Sequence, residues 1–298
     1  MRKASKGMEY TRRGAGVCSL RSADGCKDTD VIIPEQILSK GKVIEIDSYA
    51  FRNNTQIKSA VIPEGVVSIG DNVFENCKNL ERVVLPQSLR SIGRGAFIHC
   101  EKMKSIVFPS TITAIAAETF ACCYSLESVD LSHIRSIGKY AFAQCDFLRD
   151  ITISDDVEEI DTTSFWDTGY YKHHKNWKDS LLYLGKWIVG CNGSIGEYVI
   201  KSGTVGIATD TFANESHIKR TKNPMFDYLQ EQFQIAMVCP QVPMPDFSDV
   251  PEYFEEIVPA KIRYEGASEE WSKVIKLRGE KQIPALVTTE DGAIETYL

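Results

Sequence analysis

The chain has 298 residues and a net charge of −7 at neutral pH, with 43% apolar and 25% charged side chains. The acidic balance argues against a nucleic-acid partner, whose binders carry a basic face, and no apolar run approaches the 18 residues of a membrane span. Nine cysteines in a chain this long do not suit a disulfide-stapled miniprotein, and without a Cys-x-x-Cys pair zinc lacks its usual ligand spacing.

The N-terminus starts Met1-Arg-Lys like an export signal, and Arg12-Arg13 is like a twin-arginine signal, but no apolar stretch follows either. Two readings stand: the protein stays inside the cell, or its leader has been lost. Residues 1–30 are read as an N-terminal segment or cap.

From Val31-Ile-Ile-Pro34 a repeat takes over. Phe51, Phe74, Phe97, Phe120, Phe142 and Phe165 lie 23, 23, 23, 22 and 23 residues apart. A fixed period in this range marks a solenoid, whose coils bury their apolar faces only by stacking. Ile57, Leu80, Met103, Leu126 and Leu148 form an inward column. Val83 and Leu85, Ile106 and Phe108, Val129 and Leu131, and Ile151 and Ile153 then alternate with polar places, as in a strand with one buried face.

Proline at 63, 86 and 109 ends that strand. A second short apolar element closes on Ile46, Ile69, Ile92, Ile115, Ile137 and Ile160, followed by Asp47, Gly70, Gly93, Ala116, Gly138 and Asp161. The alanine and aspartates in that column point to a small or polar turn residue rather than to a positive φ. Cys77, Cys100, Cys123 and Cys145 each stand three residues after a repeat phenylalanine, so they are expected inside as small apolar groups. Lys58, Glu81, Lys104, Glu127 and Arg149 share one column and are expected to form a ladder of alternating charge that guards register.

Between Phe165 and Phe212 the gap is 47 residues. Inside it, Leu181-Leu-Tyr-Leu-Gly-Lys-Trp-Ile-Val189 predicts a β-hairpin turning at Gly185-Lys186, within an insertion at about 166–197. The coil frame resumes at Tyr198-Val-Ile200 and runs to residue 218. Residues 219–280 are expected to cap the solenoid, with a helix over 226–233, a strand over 235–239, a proline-rich connection over 240–251 and a helical finish at Glu269-Glu-Trp271. Residues 281–298 are expected to be a loose tail.

The pattern Leu-x-x-Val-x-Leu-Pro-x-x-Leu-x-x-Ile-Gly-x-x-Ala-Phe-x-x-Cys at 80–100 closely resembles the BspA-like leucine-rich repeat family. The resemblance covers 31–218, and Trp177–Gly190 is similar to a hairpin found in some members. It implies a β-rich leucine-rich-repeat solenoid, a single elongated curved domain with a β-hairpin insertion and atypical end caps. It also implies a surface or secreted protein that adheres to host matrix or cell-surface proteins, and no enzyme activity.

The residues themselves agree in offering no catalytic, cofactor or metal constellation: there is no His-Glu-x-x-His, Gly-x-Ser-x-Gly or phosphate loop. His173-His174 is read as a strand pair pointing to opposite sides, and Cys100 as turned away from His99. Two surfaces remain for a partner. The strand face presents Val61, Arg82, Val84, Ser105, Val107, Asp130, Asp150 and Thr152, with Ser59 and Ser128 also outward, and leucine-rich repeats commonly bind protein there. The insertion gathers Trp166, Tyr170, Tyr171, Trp177, Tyr183 and Trp187, aromatics of the kind found at binding hot spots. The leading expectation is a protein-binding scaffold with an unidentified protein partner. The alternative is a glycan-binding module that stacks sugars on the insertion aromatics.

Overall fold

A computed structural model describes residues 4–192, 197–208, 211, 218–222, 253–257, 260–276 and 284–297. Two rows of short parallel strands run along it. The first row contains Asp30–Ile32, Ser59–Val61 and Arg82–Val84 in one ladder, then Ser128–Leu131 beside Asp150–Ile153. The second contains Gly41–Ile46, Ser68–Ile69 and Ser91–Ile92, then Ala114–Ile115, Ser136–Ile137 and Glu159–Ile160. Each step pairs a residue with its counterpart one coil on, as in Val61 with Val84 and Ile69 with Ile92. The chain is a β-solenoid.

The repeat phenylalanines form the spine. Consecutive rings from Phe51 to Phe165 stack with centroids 5.0 to 5.5 Å apart and planes within 10°, and all six are buried. The backbone bends around the first five rings through two left-handed residues, one two places before (Tyr49, Asn72, Gly95, Glu118, Tyr140) and one two places after (Asn53, Asn76, His99, Cys122, Gln144), and around Phe165 through Asp167 alone. The glycines after the second-row isoleucines do not take that conformation. A Cβ on Gly70 would lie 2.6 Å from the Ser48 nitrogen and one on Gly93 2.6 Å from the Asp71 nitrogen. Close coil stacking, not backbone freedom, keeps that column small.

The cysteine column faces inward as expected, and it also has a bonding role. The thiols of Cys77, Cys100, Cys123 and Cys145 donate to the carbonyls of Phe51, Phe74, Phe97 and Phe120, each one coil back, at 3.1 to 3.2 Å. Asn54 fills the same place in its coil and donates to the Cys26 carbonyl.

At the N-terminal end, Glu9–Gly14 and Val17–Ser22 form an antiparallel hairpin whose second strand lies parallel to Gly41–Ile46. Ala23 donates its N–H to the Ala50 carbonyl as Phe51 does to Val73, so Ala23 stands where later coils place phenylalanine. The extra residues before Ile46 form a small turn between Gln36–Ile37 and Gly41, leaving Leu38 exposed.

Beyond Phe165 the predicted hairpin is present: Leu181–Leu184 pairs antiparallel with Trp187–Cys191, and Gly185 turns at a φ of 59°. It is buried on both sides. Leu182, Leu184, Trp187 and Val189 join the main core, while Leu181 and Ile188 join a second core with Tyr198, Ile262, Tyr264 and Trp271. Two further parallel sets follow, Glu197–Lys201, Ala260–Glu265 and Pro284–Thr289 in one and Trp187–Cys191, Gly206–Ile207 and Ile275–Lys276 in the other.

The expected helical finish is the helix Ser268–Lys273, with Trp271 buried. The expectation of a loose tail over 281–298 is corrected, because Gly292–Tyr297 folds back antiparallel on Pro284–Thr289. Backbone pairing with a distant strand orders a stretch whose local sequence carries no signal. The expected helix over 226–233, strand over 235–239, connection over 240–251 and the repeat position Phe212 lie outside the described residues.

Candidate binding face

The first strand row builds a face from its outward places. Lys58, Arg82, Val84, Ser105, Val107, Asp130, Asp150 and Thr152 are exposed and Val61 is half-buried. Val84 and Val107 stand next to one another on adjacent coils, 52% and 82% exposed, above the buried Val83 and Ile106. Ser128 is exposed as expected. Ser59 is the correction on this face: it is buried, with its hydroxyl bonded to the Asp30 carboxylate.

The row is interrupted at Ser105–Val107, which forms no strand, although its neighbours at 82–84 and 128–131 do. The coil also departs from its neighbours one residue on. The inward place taken by Leu85, Leu131 and Ile153 holds Phe108, whose ring lies edge-on to Phe120, with centroids 5.7 Å apart and planes at 74°. The ladder thus breaks at the coil whose inward place holds a ring in place of a leucine or isoleucine, and Val107 there is the more exposed of the two valines. The signal was visible as the one aromatic in an aliphatic column.

The charged column differs from expectation. Lys58, Glu81, Lys104, Glu127 and Arg149 are exposed and stacked, but among the described residues no ion pair joins them. Register is carried instead by backbone bonds, Glu81 N–H to the Lys58 carbonyl at 2.8 Å and Glu127 N–H to the Lys104 carbonyl at 3.0 Å. Inter-coil ion pairs lie elsewhere: Arg52 with Glu75, Lys78 with Glu101, Arg94 with Glu118 and Arg135 with Glu158. At the edge of the face the Ser132 N–H donates to Asp130 at 3.0 Å, which holds that carboxyl below its usual range.

Most of the insertion aromatics are engaged in packing. Tyr170 donates its hydroxyl to the Tyr183 carbonyl and the Trp177 indole N–H donates to the Tyr171 carbonyl, both at 2.6 Å. The Tyr171 and Trp177 rings meet edge-on at 5.0 Å. Trp187 is fully buried, so as a partner-contact candidate it is corrected to a core residue. Trp166 is 44% exposed and is the candidate of this group most open to a ligand.

The histidine pair also differs from expectation. His173 caps the short helix Gly169–Lys172 and its ring stacks on His174 at 5.4 Å, because the chain turns there instead of extending. Among the described residues no three His, Cys, Asp or Glu side chains gather as a metal site. No described helix is long and apolar enough to cross a membrane.

Comparison with known proteins agrees with this architecture. Residues 44–172 match the BspA type leucine rich repeat region family, in six copies. The repeats over 44–172 are BspA-type leucine-rich repeats. A leucine-rich repeat protein from Bacteroides ovatus superposes with a TM-score of 0.55 at 18% identity over 92% of this chain and 66% of its own. A leucine rich cell surface protein from Faecalibacterium prausnitzii does so with a TM-score of 0.51 at 20% identity over 76% and 59%. The chain therefore spans less than two thirds of either protein, and at these identities the likeness is one of fold. No curated protein matches it. A BspA-type repeat array is a scaffold on which function resides in the surface.

Proposed function

We propose that the chain is a non-enzymatic protein-binding scaffold that engages its partner through the first-row face, in an adhesive role at a cell surface. The observation that carries this reading is the pair Val84 and Val107, two large apolar side chains exposed side by side on a face framed by charge. Contiguous exposed apolar surface rimmed by polar groups marks interaction sites. The surface setting is supported by the common surface association of BspA-type repeats in bacteria and by the F. prausnitzii cell surface protein of the same fold.

The test begins with a pull-down against host extracellular proteins and ends with the measured affinity of one identified partner. V84E/V107E is expected to weaken that affinity at least about tenfold with its melting temperature unchanged. Full affinity in the variant would remove the face from consideration. The glycan reading rests on Trp166 alone. It predicts a glycan-array signal that W166A abolishes, and an array without signal ends it.

A further inference from the structure

The charge column on the first-row face is complementary to its own reverse when the two are offset by one coil. In chain order Lys58, Glu81, Lys104, Glu127 and Arg149 read plus, minus, plus, minus, plus, and all five are exposed. None is ion-paired to a described residue, whereas charges in other columns are paired coil to coil, as in Arg52 with Glu75 at 2.9 Å and Arg94 with Glu118 at 2.6 Å.

We propose that this face pairs with the same face of a second copy of the chain, coil order reversed, about a twofold axis that runs parallel to the strands between Val84 and Val107. This deepens the face reading given above and rests on it. A twofold axis along the strand direction, lying in the interface, keeps every column over its own column and reverses the order of coils. Placed between Val84 and Val107, it sets Lys58 against Glu127 of the second copy and Glu81 against its Lys104. With their symmetry mates these are four pairs of opposite sign. Val84 meets Val107 of the second copy twice at the centre, and Arg82 meets Ser105.

Neighbouring registers are worse. With the axis on the Lys104 coil, Lys58 faces Arg149, Glu81 faces Glu127 and Lys104 faces itself, all of like sign. With the axis between Lys104 and Glu127 the charges match, but Val107 is set against Asp130, a carboxylate held ionised by the Ser132 N–H. An axis between Lys58 and Glu81 also brings Val61 onto Val84, but it matches only Lys58 with Glu81 and its mate. It leaves Lys104 opposite Thr29, which stands one coil before Lys58 in the same column. The register between Val84 and Val107 therefore carries twice as many opposite-charge pairs, and like-charge penalties disfavour the half-step registers. Val107, 82% exposed against 52% for Val84, offers the larger free apolar surface at the centre of this register.

The matched column spans three coil steps of about 4.8 Å, well short of the roughly 800 Å² per partner of a stable complex. The dimer is therefore weak and sensitive to salt. Sedimentation velocity of the full chain at rising concentration, up to about 1 mM, is the test.

Wild type is expected to show a monomer–dimer equilibrium that weakens with salt. K104E, which sets like charges together twice, is expected to raise the dimer Kd about tenfold or more, and E81K is expected to do the same. The double swap E81K/K104E restores opposite signs in the same register and is expected to restore dimerisation. A chain that stays monomeric throughout, a dimer indifferent to K104E and E81K, or one the swap does not rescue would each overturn self-pairing. If wild type is monomeric yet V84E/V107E loses a different protein, only the second copy as occupant is wrong. If V84E/V107E binds every identified partner fully and dimerises normally, the face reading falls as well.

Discussion

Phe108 lies edge-on to Phe120, with centroids 5.7 Å apart and ring planes at 74°, while Phe120 itself stacks face to face with Phe97 and Phe142. The spine thus takes a side contact at one coil, and the strand that carries Phe108 is the one that leaves the first-row ladder.

Phe108→Leu is expected to let this strand settle back into the row. Amide hydrogen exchange should slow at Ser105 and Val107, although lost packing costs about 1 to 2 kcal/mol. Unchanged exchange at those amides would show that the ring does not hold the strand out.

Phe97 lies between Phe74 at 5.4 Å and Phe120 at 5.2 Å and is fully buried. Phe97→Ala opens a cavity in the middle of the spine and is expected to cost about 3 to 5 kcal/mol, read as a lower urea midpoint. Phe97→Leu should cost less than half as much. Equal losses would mean that the stack is not the main source of cohesion.

Burial pushes the Cys77 thiol up to about 12, against a backbone hydrogen bond at Asn54 that lowers it. A raised folded-state value contributes stability that is complete below the ordinary thiol value of about 9 and is lost as pH rises through the folded one. Urea midpoints are therefore expected to fall between about pH 9 and pH 12, and less steeply in C77A. The buried thiols should also resist a thiol reagent until the chain unfolds. Rapid labelling of Cys77 under native conditions would contradict this.

Gly206 lies directly against the Trp187 ring, where a Cβ has no room. Gly206→Ala is expected to cost about 1 to 3 kcal/mol and to shift the tryptophan fluorescence of the native state. A neutral substitution with unchanged emission would question the place of Trp187 in the core.

The repeat phenylalanines, the inward leucine and cysteine columns, the small residues after the second-row isoleucines and the hairpin about Gly185 were all legible from the chain, because each depends on local periodicity or turn chemistry. The face itself was legible too: Val84 and Val107 follow from the period-2 pattern. Other features depend on contacts between segments far apart in sequence. The ladder of Lys58 to Arg149 could be drawn from spacing, but whether its side chains meet depends on rotamers and on which neighbours are nearer. Trp187 reads as a surface aromatic until the hairpin packs it into the main core, and Pro284–Tyr297 reads as a tail until Ala260–Glu265 offers its edge.

The sequence by itself determined the stacked architecture and the identity of its columns, since a 23-residue period leaves a short coil no way to bury its apolar face but against the next. Only the tertiary structure decided which outward groups stand free: the ladder breaks at the coil of Phe108, where Val107 is 82% exposed, and the packing of the insertion turned most of its aromatics inward.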